Sequence, residues 1–136
     1  MVETTVRYLG NLRCDAVHAP SRSTIQTDAP VDNHGKGERF SPTDLVGAAL
    51  ATCMATLMGI HAGKLGIDLT GMTVRCEKEM TKSAPRRIAS LRTVVTVPLA
   101  ADHPQRAVLE RAAEDCPVRK SLDASVETPI EWVYTG

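Results

Sequence analysis

The segment from Ser41 to Gly66 constrains this chain more than any other. Ser41-Pro42-Thr43-Asp44 is a helix start, with a serine N-cap, proline at the first helical position and an acid in the first turn. The helix is predicted to run to about Lys64 and to stop at Gly66, a natural residue just past a helix end. Leu45, Ala49, Cys53, Leu57 and Ile60 recur at spacings of four and three and share one stripe. Gly47, Ala48, Ala51 and Ala55 keep much of the remainder small. A helix that is apolar or small almost all round is predicted to be a buried central helix. Gly47, Gly59, Gly63, His61 and Lys64 interrupt the stretch Leu45 to Leu65, so it is read as short of the roughly 20 predominantly apolar residues that span a bilayer.

Strands flank this helix. Residues 2–9 read as one, ended by the turn dipeptide Gly10-Asn11. A second covers about 12–18 and a short third lies around Ser23–Thr27. Residues 29–39 hold proline, asparagine, glycine and mixed charges, a loop by composition. Residues 71–82 alternate, with Met72, Val74, Cys76, Lys78 and Met80 on one side. After a turn at Ser83-Ala84-Pro85, residues 87–99 form a second alternating strand, Ala89, Leu91, Thr93, Val95, Val97 and Leu99 opposing the rest. Residues 103–115 read as a helix with Val108, Leu109, Ala112 and Ala113 inward. Cys116-Pro117 breaks it and opens a shorter helix through Leu122, and a closing strand covers about 125–134. Strands, a long helix, strands, helices and a strand give an α+β fold with a mainly antiparallel sheet. No repeat or Pro/Gly-rich linker divides the 136 residues, so residues 1–136 are read as a single domain.

Lysines and arginines balance aspartates and glutamates, so formal net charge is zero. This gives no electrostatic reason to expect nucleic acid or an anionic membrane as partner. The N-terminus lacks a basic region followed by an apolar stretch, so no secretory signal is read and a cytoplasmic location is expected. Phe40, Tyr8, Tyr134 and Trp132 are the full aromatic set. A core so lean in large rings would gain from burial shared with a partner subunit.

Cysteines stand at 14, 53, 76 and 116, with no CxxC and no paired metal-ligand spacing. Free cysteine is often simply a small buried residue, and that is the reading for Cys14 and Cys76, which sit on alternating strands. Cys116-Pro117 says more. Proline at N1 places Cys116 at the N-cap, where unpaired backbone N–H groups and the helix dipole favour a thiolate. Arg119 and Lys120 follow one turn on, so the Cys116 pKa is expected to fall; the alternative is a neutral cap standing in for serine. Cys53 lies on the apolar stripe, where desolvation alone would keep it inert. By residue type alone it is core packing unless an outside donor or cation reaches it.

The run Phe40-Ser41-Pro42-Thr43-Asp44-Leu45-Val46-Gly47-Ala48-Ala49-Leu50-Ala51-Thr52-Cys53, with Asp115-Cys116-Pro117-Val118 downstream, resembles the OsmC/Ohr family of osmotically inducible and organic hydroperoxide resistance proteins. The resemblance extends over essentially the whole chain and is closer to the OsmC-like branch. It implies an intertwined homodimer with a mainly antiparallel sheet wrapped around the long central helices. It also implies that Cys53 is the peroxidatic thiolate and Cys116 the resolving thiol, reducing an organic hydroperoxide or hydrogen peroxide. An external dithiol or lipoylated protein would restore both thiols. No metal or bound organic cofactor is expected.

Two positions depart from the family pattern. Family peroxidases carry glutamate directly after the proline of the helix start, held against an arginine that stabilises the thiolate; here Thr43 stands there, with Asp44 next. One residue rotates a helical side chain by roughly 100°, so Asp44 is no simple substitute. Arg39 is expected to supply the arginine, with Arg22 as fallback, the alternative for Arg39 being a solvated loop charge. The competing functional reading is a slow or non-catalytic thiol redox sensor on the same fold. His18, His34, His61 and His103 are too scattered to form a metal-ligand signature. His61 lies two turns after Cys53, roughly 12 Å along the axis, too far to activate the thiol directly.

Overall fold

The computed structural model describes all 136 residues, grouped into two compact units, Met1–Val46 and Gly47–Gly136. The first is an antiparallel meander of β1 (Thr4–Gly10), β2 (Arg13–His18) and β3 (Thr24–Asp28). The β1–β2 turn centres on Asn11-Leu12 rather than Gly10-Asn11. Both central residues have positive φ, 52° and 63°, and Gly10 pairs with Arg13. Such a turn matches the right-handed twist of the flanking strands. Residues 29–39 form the expected loop, with one 3₁₀ turn at Val31–Asn33.

That loop is anchored by charge. Asp28 is buried at 2 % exposure. The Arg13 guanidinium grips it with two bonds, Nε to Oδ1 at 2.7 Å and Nη2 to Oδ2 at 2.9 Å, and Nη2 reaches Glu38 Oε2 at 3.0 Å. The Glu38 backbone N–H closes the loop onto Asp28 at 3.2 Å. Arg13 holds the Asp28 carboxyl below the usual carboxylate range. A buried charge survives only when paired and hydrogen-bonded in this way.

Helix α1 (Pro42–Lys64) begins as read. Ser41 Oγ accepts the Asp44 N–H at 3.1 Å, while Asp44 Oδ2 accepts the Ser41 N–H at 2.9 Å. This is a reciprocal capping box with aspartate in the acidic position. At the other end Gly66 has φ +68°, its N–H bonds to Gly63 O, and the Ile67 N–H bonds to Ala62 O. That pairing is a Schellman motif, which glycine permits at no steric cost.

The second unit holds the rest of α1, then β4 (Thr73–Met80), β5 (Ile88–Val97), α2 (Arg106–Glu114), α3 (Pro117–Ser121) and β6 (Ile130–Tyr134). β4 and β5 are antiparallel and β6 joins β5 in parallel. The fold is thus α+β with two three-stranded sheets and one long helix. Five of the six strands run antiparallel to a neighbour; β6 is the parallel addition. β6 is shorter than predicted because Pro129, which has no N–H to donate, precedes it; residue 127 makes only an isolated bridge to Ser90. On β5 the face of Leu91, Thr93, Val95 and Val97 is the buried one. On its other face Arg92 ion-pairs across the sheet with Glu77 and Glu131.

Two expectations about helix faces are corrected. On α1 the buried residues are Gly47, Leu50, Met54, Met58 and Ala62, whereas Ala49 and Ile60 are exposed and Cys53 and Leu57 only half-buried. The helix is apolar or small on several sides, so the spacing could not tell which stripe would be covered. Gly47 decides it. A Cβ there would lie 3.3 Å from Cys76 Sγ and 3.6 Å from Leu91 Cδ2, so this face lies against β4 and β5. Full burial of Leu50, Met54 and Met58 contributes about 1.5–3 kcal/mol each. On α2, Leu109, Ala112 and Ala113 are buried as predicted, but Val108 is exposed. α2 also starts later than read, at Arg106, whose guanidinium lies 4.5 Å from the Tyr134 ring centroid and bonds Glu110 at 2.7 Å. Tyr134 Oη donates to the same Glu110 oxygen at 2.7 Å, tying β6 to α2.

The membrane-span reading of α1 also changes. With 23 residues and an 18-residue stretch of mean hydropathy 1.7, α1 is by length and composition long and apolar enough to cross a membrane, despite its glycines, His61 and Lys64. One face is nevertheless packed inside the protein, as in the core helix of a folded domain.

Gly47→Val should lower the unfolding free energy by about 1–3 kcal/mol, because its methyls enter space held by Cys76 and Leu91. Urea denaturation followed by far-UV circular dichroism measures this.

Candidate functional site

Cys53 is carried by the flank of α1. Successive residues of a helix step by roughly 100°, so Cys53, Leu57 and His61 form a half-buried row between the covered face and the exposed one. Cys116 reaches that flank from the sequence-distant α2–α3 junction. It is the N-cap of α3, with Pro117 at N1, and its Sγ accepts the Arg119 N–H at 3.4 Å. It is completely buried, at 0 % exposure, and lies near enough to Cys53 for the two thiols to influence one another's ionisation. The fold therefore brings the two predicted cysteines into one neighbourhood.

The electrostatic expectation for Cys116 is reversed. Burial pushes its pKa up, the Cys53 thiol pushes in the same direction, and the opposing backbone N–H groups of Arg119 and Val118 are outweighed. Cys116 is the N-cap that Pro117 dictates, but the cost of desolvating an anion inside the fold outweighs the cap, and that enclosure leaves no mark in the sequence. Nor does the Arg119 guanidinium turn toward the sulfur: Nε bonds Thr128 Oγ1 at 3.0 Å and Nη1 the Glu114 carbonyl at 3.2 Å. Lys120 pairs with Asp115 at 3.4 Å.

A cleft of about 550 Å³ is lined by neighbours of the two cysteines in the chain but by neither sulfur: Leu57, Ala107, Val108, Ala112 and Pro117, with His61, Arg111 and Asp115 as its polar groups. Leu57 stands one turn below Cys53, and Asp115 and Pro117 bracket Cys116 in sequence. A mostly apolar hollow with a few polar groups suits a small organic molecule. Its residues come from the later part of α1 and from α2, and no motif in the sequence marks them. His61 Nδ1 lies 3.0 Å from Leu57 O, so a proton on Nδ1 donates to that carbonyl and leaves Nε2 as the free ring nitrogen.

Arg39 is an exposed residue of the first unit. Its Nε donates to Gln26 Oε1 at 3.4 Å and its Nη1 to the Glu38 carbonyl at 3.1 Å. Arg22 is exposed too, in a left-handed turn with φ 63°. Asp44, one place beyond the position of the family glutamate, is engaged in the capping box. Cys76 packs against Gly47, and burial raises its pKa; Cys14 is half-buried on β2.

Because the folded pKa of Cys116 lies above its unfolded value, the stabilising contribution is complete below the unfolded pKa and is lost as pH rises through the folded one. Wild-type protein should lose stability on going from pH 8 to pH 10–11 more steeply than Cys116→Ala, measured by denaturation midpoints at each pH. At neutral pH a maleimide should modify Cys53 before Cys116, as read by peptide mass spectrometry.

Comparison with known proteins places this architecture. Residues 35–131 match the OsmC-like protein family. A crystal structure of the proposed osmotic stress induced and detoxification response protein of Psychrobacter arcticus 273-4 is 39 % identical, with a TM-score of 0.91 over 97 % of this chain and 96 % of that one. The organic hydroperoxide resistance protein OsmC of Legionella pneumophila shares the fold at 14 % identity, with a TM-score of 0.78 over 98 % of this chain and 96 % of that one. OhrB of Bacillus subtilis, an organic hydroperoxide resistance protein, does so at 16 % identity, with a TM-score of 0.69 over 97 % of each chain. A search of curated proteins finds no match. With its family match across most of its length and a relative at 39 % identity, this chain belongs to the OsmC-like protein family.

Proposed function

We propose that the protein is a thiol peroxidase that reduces organic hydroperoxides, or hydrogen peroxide, through Cys53 and Cys116. The observation that carries this reading is the proximity of the half-buried Cys53 to the fully buried Cys116, whose ionisation it influences. The more accessible sulfur is the one a peroxide can meet, and the buried one is the one that can wait. The Cys53 thiolate attacks the terminal oxygen of the hydroperoxide, the O–O bond breaks, the remaining oxygen takes a proton and leaves as the alcohol (water from hydrogen peroxide), and Cys53 becomes a sulfenic acid. Cys116 then displaces hydroxide from that sulfur to give a disulfide, which an external dithiol or lipoylated protein reopens by exchange. The mostly apolar cleft lined by Leu57, Asp115 and Pro117, chain neighbours of the two cysteines, supports an organic substrate over a purely inorganic one. Arg39 is proposed to support the thiolate.

We further propose that the working form is an intertwined homodimer. Two exposed surfaces support it. On α1, Ala49, Thr52, Thr56, Gly59, Ile60 and Gly63 form one exposed row of mostly small residues, a shape that lets helices approach closely. In the first unit the sheet leaves Val6, Tyr8 and Ile25 at 50 % exposure or more. Cys53, Leu57 and His61 border the α1 row, so a partner there would form a further wall of the site. A cytoplasmic location belongs to the same proposal, since the mechanism needs reduced thiols.

The second reading, a slow thiol redox sensor, is favoured by Thr43 in place of the family glutamate and by the capping role of Asp44. Turnover separates the two. With excess cumene hydroperoxide and a dithiol reductant, wild-type protein should consume peroxide over many cycles. Cys53→Ser should consume none, and Cys116→Ser should oxidise once and recycle poorly. Oxidation of wild type that stops after one equivalent with reductant present would mark a sensor; normal consumption by Cys53→Ser would contradict the mechanism.

For the dimer, Gly59→Trp should shift the protein toward monomer in light scattering, because an indole cannot enter a close helix contact. An unchanged mass would count against that surface.

A further inference from the structure

We propose that the cleft between α1 and α2 is a binding site for an aliphatic monocarboxylate, with Arg111 taking the carboxylate and the apolar walls taking the chain. The inference rests on the reading of this cleft as an organic site, narrows it to one class of ligand, and does not require either sulfur to react.

The hollow exists because small residues stand where large ones could. Val108, Arg111, Ala112 and Asp115 follow the spacing i, i+3, i+4, i+7, so they share one face of α2 and its C-terminal cap. Leu57 and His61, one turn apart, line the cleft from α1. Ala112 is buried and Ala107 exposed. Each offers a single methyl group, and about 550 Å³ is left open. Leu57, Val108 and Pro117 complete an apolar lining, with Val108 at 45 % exposure. Hydrocarbon laid against such a surface removes apolar area from water, which favours binding.

The polar groups decide the class of ligand. Asp115 is engaged by Lys120 at 3.4 Å. A neutral His61 ring that donates through Nδ1 to Leu57 O, 3.0 Å away, has only a lone pair to offer at Nε2. The Arg111 guanidinium has no ion pair or side-chain hydrogen bond within the chain, so it is the uncommitted cation of the cleft. Its neighbours in sequence differ: Arg106 is held by Glu110 and Arg119 by Thr128. A guanidinium fork matches a carboxylate through two parallel hydrogen bonds. One free positive charge at the edge of an apolar hollow selects one negative charge on an apolar body. A second anionic group on the ligand would lie against hydrocarbon or near Asp115, at a cost in desolvation or repulsion. An amine would meet Arg111 as a like charge.

Isothermal titration calorimetry on reduced, full-length protein tests this with octanoate, octan-1-ol and acetate. Wild type should bind octanoate at a single class of site. Octan-1-ol, which lacks the charge, should bind at least about tenfold more weakly. Acetate, which lacks the chain, should not bind measurably. Arg111→Gln should lower octanoate affinity at least about tenfold and leave octan-1-ol affinity unchanged, the second result showing that the cleft is intact. Ala107→Leu fills the hollow with a good helix former and should weaken both eight-carbon ligands. Equal affinity of wild type for octanoate and octan-1-ol, no octanoate binding, or wild-type octanoate binding by Arg111→Gln would overturn the proposal. So would a cleft closed by a second copy of the chain, seen as absent octanoate binding with a shift of Ala107→Leu toward monomer in light scattering. None of these ligands holds an O–O bond, so the result is separate from peroxide turnover. Protein that binds octanoate but consumes no cumene hydroperoxide would remove the peroxidase reading alone, and the reverse outcome would remove this proposal alone.

Discussion

The packing of α1 on β4 and β5 sets everything that follows. Gly47 lets the helix come close to Cys76 and Leu91, and Leu50, Met54 and Met58 complete the covered face. That contact fixes the rotation of the helix about its own axis. A turn of one residue, roughly 100°, would carry Cys53 away from the flank where Cys116 meets it. Three large side chains, burying about 1.5–3 kcal/mol each, resist such a turn. The position of one sulfur is thus set by hydrophobic contacts on a different side of its helix.

The second sulfur is placed by a different device. Pro117 ends the freedom of the chain after α2 and makes Cys116 a cap, and burial then governs its chemistry. Two effects compete there: backbone N–H groups that favour the anion and removal from water that opposes it. Removal from water is the larger, so Cys116 is held as a thiol beside Cys53. An enclosed thiol next to a more accessible one divides labour between sulfurs that the sequence presents as equals.

Much of this was legible in the residues. The α1 boundaries followed from Ser41, Pro42 and Gly66 because capping is a local matter between neighbours in the chain, and the cap at Cys116 followed from Pro117 in the same way. Whatever depended on distant neighbours was harder to read. The covered stripe of α1 was ambiguous because several faces are apolar or small, and the choice rests on β4 and β5. The direction of the Cys116 pKa depends on enclosure by elements far away in sequence. The shortened β6 reflects Pro129 and a parallel register that alternation alone cannot show. The cleft around Leu57, His61 and Arg111 left no signal, since ordinary helix residues line it. The proximity of Cys53 and Cys116 was implied by a family resemblance, not by their spacing.

The central claim is that two thiols, widely separated in the chain, form one redox unit. One equivalent of cumene hydroperoxide added to fully reduced protein, followed by blocking of free thiols, digestion and mass spectrometry, addresses it most directly. A peptide pair joined between Cys53 and Cys116, with Cys14 and Cys76 still blocked as thiols, is the expected result. Peroxide-treated protein in which both cysteines remain reduced, or in which the bridge joins Cys14 or Cys76 instead, would contradict it.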